Sequence, residues 1–339
     1  MAVVPDGISK RRRLQGWDQV DYGNAVLRTE PSVSRWLELV DDTRTAPAHV
    51  FSGLGAYPHV TRAMRYLADG AHKHIAVATE PWDPRGIKGQ IRAVRFRTRR
   101  PLLTQVDTLL VDGRAAERQF IDLGFDPSRV ARFGYFVDRV PLLPTSRRAS
   151  PRVVFVGELA PRKDPVGLLR AFAGSEHGGA TLTMIGDGPM AARVRAEIPR
   201  LHLQDRVLLF DRLANTAVRE LVAQSDVLVL PSLYDGWGAV VNEALMSGTP
   251  AIVSSACGAS ELITSTLQGL VVDPGSLDSL TFGLNVQLGS GAVTSERRTA
   301  LRAWAAAAIS PDVAAHYLWQ TLTRDDAQPI GPPPWQSVF

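Results

Sequence analysis

The sequence predicts an α/β protein of two doubly wound domains, each an open parallel sheet with helices on both faces. Three observations predict it. From Pro151 onward short apolar runs alternate with helical patterns in repeated βα units. The first half shows the same rhythm less cleanly. Between the halves, residues 139–150 hold two prolines, three arginines and two serines, the composition of a linker. A chain of 339 residues divides comfortably into two such domains. The expected bounds are 1–138 for the first domain, 139–150 for the linker, 151–325 for the second domain and 326–339 for an extended tail.

In the second half, residues 152–157 form a short apolar run ending in glycine, as a strand buried on both faces does. Asp164-Pro165 then opens a helix in which Leu168, Leu169 and Phe172 share a face. Strands are predicted over 181–185, 206–210, 226–230, 251–254 and 269–272. Helices are predicted over 190–201, 218–224 and 239–246, the last stopped by Gly248 and Pro250. In the first half, 48–51, 75–79 and 108–111 read as strands, and 58–67 and 115–123 as helices. Two domains of this kind leave a cleft at the carboxyl ends of their strands, where open α/β sheets bind ligands.

Composition narrows the class. With 45% hydrophobic residues the chain has material for two packed cores. The single cysteine, Cys257, excludes a disulfide framework and a thiolate zinc site. Residues 1–13 turn basic before any apolar stretch, unlike a signal peptide, and no window reaches the roughly 18 apolar residues of a membrane span. The expectation is a cytoplasmic protein, peripheral on the inner face of the membrane if attached at all. The net charge of +4 is unevenly spread: 24 Lys and Arg stand against 16 Asp and Glu up to Ser150, and 14 against 18 after it. Such a split suits a first half that meets an anionic partner, or one with a solvated basic face.

The most informative segment is Leu228-Val-Leu-Pro-Ser-Leu-Tyr-Asp-Gly-Trp-Gly-Ala-Val-Val-Asn-Glu-Ala-Leu-Met-Ser-Gly-Thr-Pro250. A strand enters a loop containing Gly236, Trp237 and Gly238, and the loop enters a helix. Glycines let the backbone approach a ligand, and the free N–H groups of a helix start attract phosphate. Asp235 and Glu243 are eight positions apart, on the order of 12 Å at helical rise. That is too far for a hydrolytic carboxylate pair across one bond. They are better placed to hold opposite ends of a long ligand, with a diphosphate between them, Glu243 taking ribose hydroxyls and Asp235 sugar hydroxyls. The plain alternative is a helix N-cap and an ordinary helix glutamate.

This segment resembles the donor-site signature of GT-B glycosyltransferases of the family 4, or glycosyl transferases group 1, type: two acidic residues with seven between them, then Gly-x-Pro. Val156-Gly-Glu-Leu-Ala-Pro-Arg-Lys163, Ile185-Gly-Asp-Gly-Pro189, Asp226-Val-Leu-Val-Leu-Pro-Ser232 and Cys257-Gly-Ala-Ser-Glu261 follow in family order. The resemblance implies a GT-B fold and an enzyme of hexosyltransferase type. It further implies retention of anomeric configuration, a nucleotide-sugar donor as substrate, no metal and no cofactor. Carried over, Lys163 matches the basic residue that holds the donor diphosphate, and Arg162 beside it adds a second phosphate contact. Gly157 and Gly186 match strand ends that approach the donor. One departure stands out: the family usually follows the first of these glycines with arginine, and here it is Glu158.

The first half resembles the family less closely. Phe133-Gly-Tyr-Phe-Val-Asp138 matches the segment that ends the N-terminal domain. His49-Val-Phe-Ser-Gly53 and Ala78-Thr-Glu-Pro-Trp-Asp-Pro-Arg-Gly86 resemble a polysaccharide and glycolipid subgroup. Where many relatives place a histidine facing the donor sugar, this chain has Glu80. It is read as bonding the sugar, as accepting the acceptor's proton, or as a strand-end residue pairing with Arg85. The chain opens at Ala2-Val-Val-Pro, which is either the second strand of such a domain, its first βα unit being absent, or the first strand itself. Between Arg85 and Arg100, Lys88, Arg92, Arg95, Arg97 and Arg99 interleave with Ile87, Ile91, Val94 and Phe96. This suits an anionic leaflet or a lipid-diphosphate acceptor, and equally a basic surface helix. Without an aromatic platform among them, these residues do not point to nucleic acid. The partners expected are therefore a nucleotide-sugar and a glycan or lipid-linked acceptor. Two rival readings share the fold: a binding or scaffold subunit that has lost turnover, and another GT-B enzyme such as a nucleotide-sugar epimerase or a phosphorylase.

Overall fold

The computed structural model describes residues 2–4, 27–29, 32–43, 45–53, 58–68, 74–98, 103–138, 150–325 and 328–337. The described residues fall into two compact units: one runs up to Gly134 and takes in Ala315–Pro333, the other holds Tyr135–Ala314 and the chain from Pro334. The expected linker, save Ser150, lies outside the described residues.

In the first unit β1 (Ala2–Val4) pairs in parallel with β2 (Leu27–Thr29). Helix α1 (Val33–Asp42) leads to a parallel sheet in the simple order β3 (Ala48–Ser52), β4 (His74–Thr79), β5 (Thr108–Asp112), β6 (Val130–Phe133). Helices α2 (Pro58–Ala68), α3 (Gly86–Arg97) and α4 (Gly113–Asp122) make the crossovers. Strand β5 is buried along its whole length, which is why Leu109, Leu110 and Val111 read as a continuous apolar run. Trp36, Met64, Val77, Leu109 and Phe120 belong to one core.

The second unit is a parallel sheet with helices on both faces. Its strands are β7 (Arg152–Val156), β8 (Thr181–Ile185), β9 (Val207–Phe210), β10 (Val227–Leu230), β11 (Ala251–Ser254) and β12 (Gly269–Val272). They lie in the order β12-β11-β10-β7-β8-β9. Successive residues alternate between faces. Val153 and Phe155 join Leu168, Leu169 and Phe172 of α5 (Pro165–Ala173) in one core, while Val154 joins a second core with Val241, Leu245 and Leu301. Helices α6 (Ala191–Arg200), α7 (Asn215–Ala223), α8 (Val240–Met246), α9 (Leu277–Gly289) and α10 (Ser295–Ala308) complete the layers. The order reverses direction between β7 and β10: β8 and β9 are laid down on one side of β7, and β10 to β12 on the other. That gap is the topological switch point, where α/β sheets of this kind bind ligands at the carboxyl edge.

Beyond α10 the chain adds one more helix and a short turn. Helix α11 (Pro311–Thr323) carries Tyr317, which stacks on Phe133 with ring centroids 6.2 Å apart, so its later turns group with the first unit. The proline-rich stretch beyond it then forms a short 3₁₀ turn over Pro334–Gln336. Trp335 on that turn is 1% exposed and packs on Trp237 at 5.6 Å. Burying the indole anchors this proline-rich stretch to the core.

At the amino edge of the same sheet a buried ion pair ties three elements together. Arg298 of α10 donates to the carbonyls of Ala223 (3.1 Å) and Ser225 (2.7 Å) and to Asp226 (3.4 Å). Asp226 in turn accepts from the backbone N–H groups of Arg152 and Val293, each at 2.9 Å. Removing one member of a buried pair strands the other charge. Arg298→Met is expected to lower stability by about 3–5 kcal/mol, read as a lower urea midpoint. Arg195→Ala, which removes the exposed pair with Asp211, should shift it by less than about 0.5 kcal/mol.

Candidate active site

The two loops that leave β7 and β10 meet at the switch point. Pro161–Lys163 form a tight 3₁₀ turn after β7, and Lys163 on it is only 8% exposed. Its ammonium is bonded to the Asp235 carboxylate from the loop after β10. The Arg162 carbonyl accepts from the backbone N–H of Leu233 at 2.7 Å, fixing the two loops to each other. The structure thus brings Lys163 and Asp235 into direct contact. An ammonium has three N–H donors, so the one Asp235 engages leaves two for a ligand.

Gly186 ends β8 against the same place. A Cβ there would lie 1.8 Å from the Gly157 carbonyl oxygen, so only glycine lets these strand ends close up. Gly238 has φ +94°, and a Cβ on it would lie 2.7 Å from the Cys257 sulfur. The loop 235–238 is pinned from behind: Asp235 N–H donates to the Ala256 carbonyl at 3.1 Å and Ala259 N–H to the Trp237 carbonyl at 2.8 Å. Trp237, expected among the ligand-binding residues, has its ring in the core, 2% exposed, with Nε1 donating to Asn242 Oδ1 at 2.7 Å. Its backbone lines the loop while its side chain holds the loop down. Helix α8 spans seven residues, and the Val241 N–H already donates to the Gly238 carbonyl at 2.9 Å. Fewer free N–H groups therefore remain at its start than the sequence suggested.

Glu243 sits on α8 among buried neighbours. Burial pushes its carboxyl above the usual range, and the Arg219 guanidinium partly pulls it back. Arg162 is half-exposed, its guanidinium 3.4 Å from Glu158, the residue that departs from the family pattern. A cavity of about 250 Å³ between α5, α6 and α9, lined by Asp164, Arg170, Arg193 and Asp273, lies beside this cluster; none of the expected site residues lines it.

The Glycosyl transferases group 1 family matches residues 145–293, the stretch that supplies every one of these side chains. This stretch is a Glycosyl transferases group 1 domain. The chain is 32% identical over 178 residues to the 2-deoxystreptamine N-acetyl-D-glucosaminyltransferase of Streptomyces fradiae, covering 51% of this chain and 40% of that protein. It is 31% identical over 134 residues to an uncharacterized glycosyltransferase of Methanocaldococcus jannaschii, covering 39% and 34%. The chain therefore spans under half the length of these two relatives. Among solved structures, HepE of Anabaena in complex with UDP matches with a TM-score of 0.67 at 17% identity, over 88% of this chain and 85% of that one. That likeness shows the fold, GT-B with two Rossmann-like parallel-sheet domains.

Outside the group 1 domain, Glu80 follows β4 in the first unit and is exposed. Asp83, close by, forks onto Arg85 with two contacts of 2.8 Å. The structure adds a group that sequence reading passed over. Asp112 ends β5, the strand beside β4, and is 9% exposed. Burial, reinforced by the charge of Glu80, pushes its carboxyl up to about 8. The available signal was its position, a lone carboxylate closing the apolar run Leu109-Leu-Val111 just before Gly113. Asn242 was also missed. It is fully buried, and besides receiving the Trp237 indole it donates to the Tyr135 carbonyl at 2.6 Å. Nothing in the sequence marked it beyond its place beside Glu243.

The Asp112 shift has a consequence for stability. An unfolded aspartate titrates near about 4, so between there and about 8 the folded chain holds a proton the unfolded chain has released. Stability falls as pH rises through that window. Asp112→Asn removes the penalty. Its melting temperature should match the native chain near about pH 4 and exceed it by a margin that grows up to about pH 8. A margin independent of pH would contradict this.

Proposed function

We propose that the chain is a retaining, metal-independent glycosyltransferase of hexosyltransferase type that moves a sugar from a nucleotide-sugar donor to a glycan or lipid-linked acceptor. The observation that carries the reading is the buried Lys163 held against Asp235 at the switch point of a Glycosyl transferases group 1 domain. Breaking the bond between the anomeric carbon and the donor diphosphate leaves negative charge on the departing phosphate. A preorganised ammonium in a partly dehydrated site stabilises that charge. The two N–H donors of Lys163 that Asp235 does not engage serve the diphosphate, and Asp235 accepts from hydroxyls of the sugar.

Glu243 accepts the ribose hydroxyls and must be ionised to do so with both oxygens. Gly157, Gly186, Gly236 and Gly238 let the backbone come close to the donor, and Arg162 adds a second cation for the diphosphate. Glu80 of the first unit is the group proposed to meet the acceptor hydroxyl or the transferred sugar. The nucleotide-sugar is consumed as substrate, and the reading requires no separate cofactor. The relatives named above are glycosyltransferases, and the HepE structure contains UDP, which supports a uridine nucleotide as the first to try.

The test is thermal melting of the chain with UDP, GDP, ADP and CDP, alongside Lys163→Ala and Glu243→Ala. A nucleotide at a hundred times its dissociation constant adds about 2.7 kcal/mol of stability. One nucleotide should raise the melting temperature of the native chain and leave both variants unmoved. The same nucleotide should bind more weakly as pH falls and protonates Glu243, whose carboxyl burial pushes up. No shift with any of the four would sink the donor-site reading. Release of that nucleotide from its sugar, with an acceptor or with water, separates a transferase from a scaffold that only binds. Interconversion of the donor sugar without release would make it an epimerase.

A further inference from the structure

We propose that helix α3 (Gly86–Arg97) is a membrane-docking element that lies in the headgroup region of an anionic bilayer with Ile87, Ile91 and Val94 inserted. This does not rest on the glycosyltransferase reading. The evidence is how the helix is oriented by the fold. Its packed side is Gly89, Ala93 and Phe96: Gly89 and Phe96 are buried and Ala93 is half-buried. Phe96 meets Trp82 at 5.9 Å and Phe120 at 5.2 Å between ring centroids. The Trp82 indole donates to the Gly89 carbonyl at 3.3 Å. A Cβ on Gly89 would lie 2.4 Å from the Pro84 carbonyl, so the helix sits tight on the chain beneath it. Its rotation about its own axis is therefore fixed.

At about 100° per residue, Ile87, Ile91 and Val94 fall within roughly 60° of one another, on the side opposite that packed face. They are 76%, 47% and 58% exposed. A surface helix ordinarily turns such a stripe inward. Here the core contact is made by other residues, and the stripe is left to the outside. Lys88, Arg92 and Arg95 border it on one flank and Arg97 on the other, and the helix contains no acidic residue. An apolar stripe edged by cations is the pattern that lies in a bilayer interface. The aliphatic groups enter the acyl boundary, and the long basic side chains reach the phosphates. Twelve residues span about 18 Å, which suits lying along the surface and is too short to cross it.

Charge complementarity selects this occupant. Helix α9 also exposes apolar residues one turn apart, Phe282 and Val286, 67% and 42% exposed, but it has no basic residue beside them and carries Asp278. Nothing there indicates a partner. Helix α3 combines both features, and each basic residue close to an anionic leaflet strengthens binding on the order of fivefold.

The experiment is co-sedimentation of the full chain with vesicles of phosphatidylcholine alone and of equimolar phosphatidylcholine and phosphatidylglycerol. The native chain should partition at least about tenfold more strongly into the anionic vesicles, and salt should weaken that binding. Ile87→Ser with Val94→Ser should lose about tenfold or more on the same vesicles with an unchanged circular dichroism spectrum. Arg92→Glu with Arg95→Glu should abolish the preference for anionic lipid. Equal binding to both vesicles, no binding to either, or native binding by the Ile87/Val94 variant would overturn the proposal. So would a lipid-free dimer that the Ile87/Val94 variant abolishes, which would make the stripe a contact between copies. Nucleotide-dependent melting should be the same in these variants as in the native chain, so loss of docking and loss of the donor site are read separately.

Discussion

A lysine ammonium taken out of water at the end of a parallel strand is stable only beside a group that replaces its hydration. In this chain that group is Asp235, and the contact has a structural cost that organises the rest of the second domain. Lys163 must come from the loop after β7 and Asp235 from the loop after β10, so the two strands must be neighbours. They are neighbours because the sheet switches direction there. Both loops must also be short and stiff enough to hold their side chains still. The turn after β7 is closed by the Lys163 N–H on the Ala160 carbonyl, and Asp164, in the left-handed region at φ 47°, caps α5. The same turn that buries the lysine also starts the helix.

The loop after β10 is held differently, by packing from behind. Trp237 turns its ring into the core, where Trp335 and Asn242 receive it. Trp335 also packs on Phe136 at 6.3 Å, so one residue far before the loop and one far after it converge under it. Cys257 completes this support. Its thiol donates to the Trp237 carbonyl, and burial pushes its titration far above the usual thiol range, so it behaves as a small buried donor with no thiolate chemistry. The glycines of the loop and the aromatic rings on its core side divide the labour. Glycine supplies close approach, and the rings supply the rigidity that glycine removes.

How far this was legible follows from the range of each interaction. Strands β8, β11 and β12 were readable to the residue: β11 is buried along its whole length and reads as a continuous apolar run, and β8 and β12 are short, mostly apolar runs bounded by glycine or proline. Asp235 and Glu243 stood out through their spacing within one segment, and Lys163 through the family resemblance of its own segment. Their contact did not, since pairing Lys163 with Asp235 depends on strand order, and strand order is not local. Trp237 shows the limit of a motif: the segment named the residue, but the direction of its ring is decided by Trp335, far along the chain. Asp112 escaped for a related reason. An aspartate before a glycine reads as an ordinary strand end until the neighbouring strand brings Glu80 beside it. Helix α3 was visible as a basic stretch, yet which side it turns to the core is set by Trp82 and Phe120.

Glu158 stands where the resembled family usually has arginine, which bears on the proposed phosphate end of the site. Glu158 and Arg162 form a pair at 3.4 Å with both side chains well exposed to solvent. Exposed pairs of this kind contribute about 0–1 kcal/mol, so Glu158 holds Arg162 weakly. A diphosphate bound as proposed would take the guanidinium with two oxygens in place of one half-hydrated carboxylate. Lys163 is in the opposite situation, because it is buried itself and its partner Asp235 is largely shielded from solvent. The domain thus has one cation fixed by burial and one held loosely at the surface. Glu158 changes the loosely held one. On the proposed reading, the positive charge that departure of a phosphate most needs is carried by the fixed one, and Glu158 leaves it untouched.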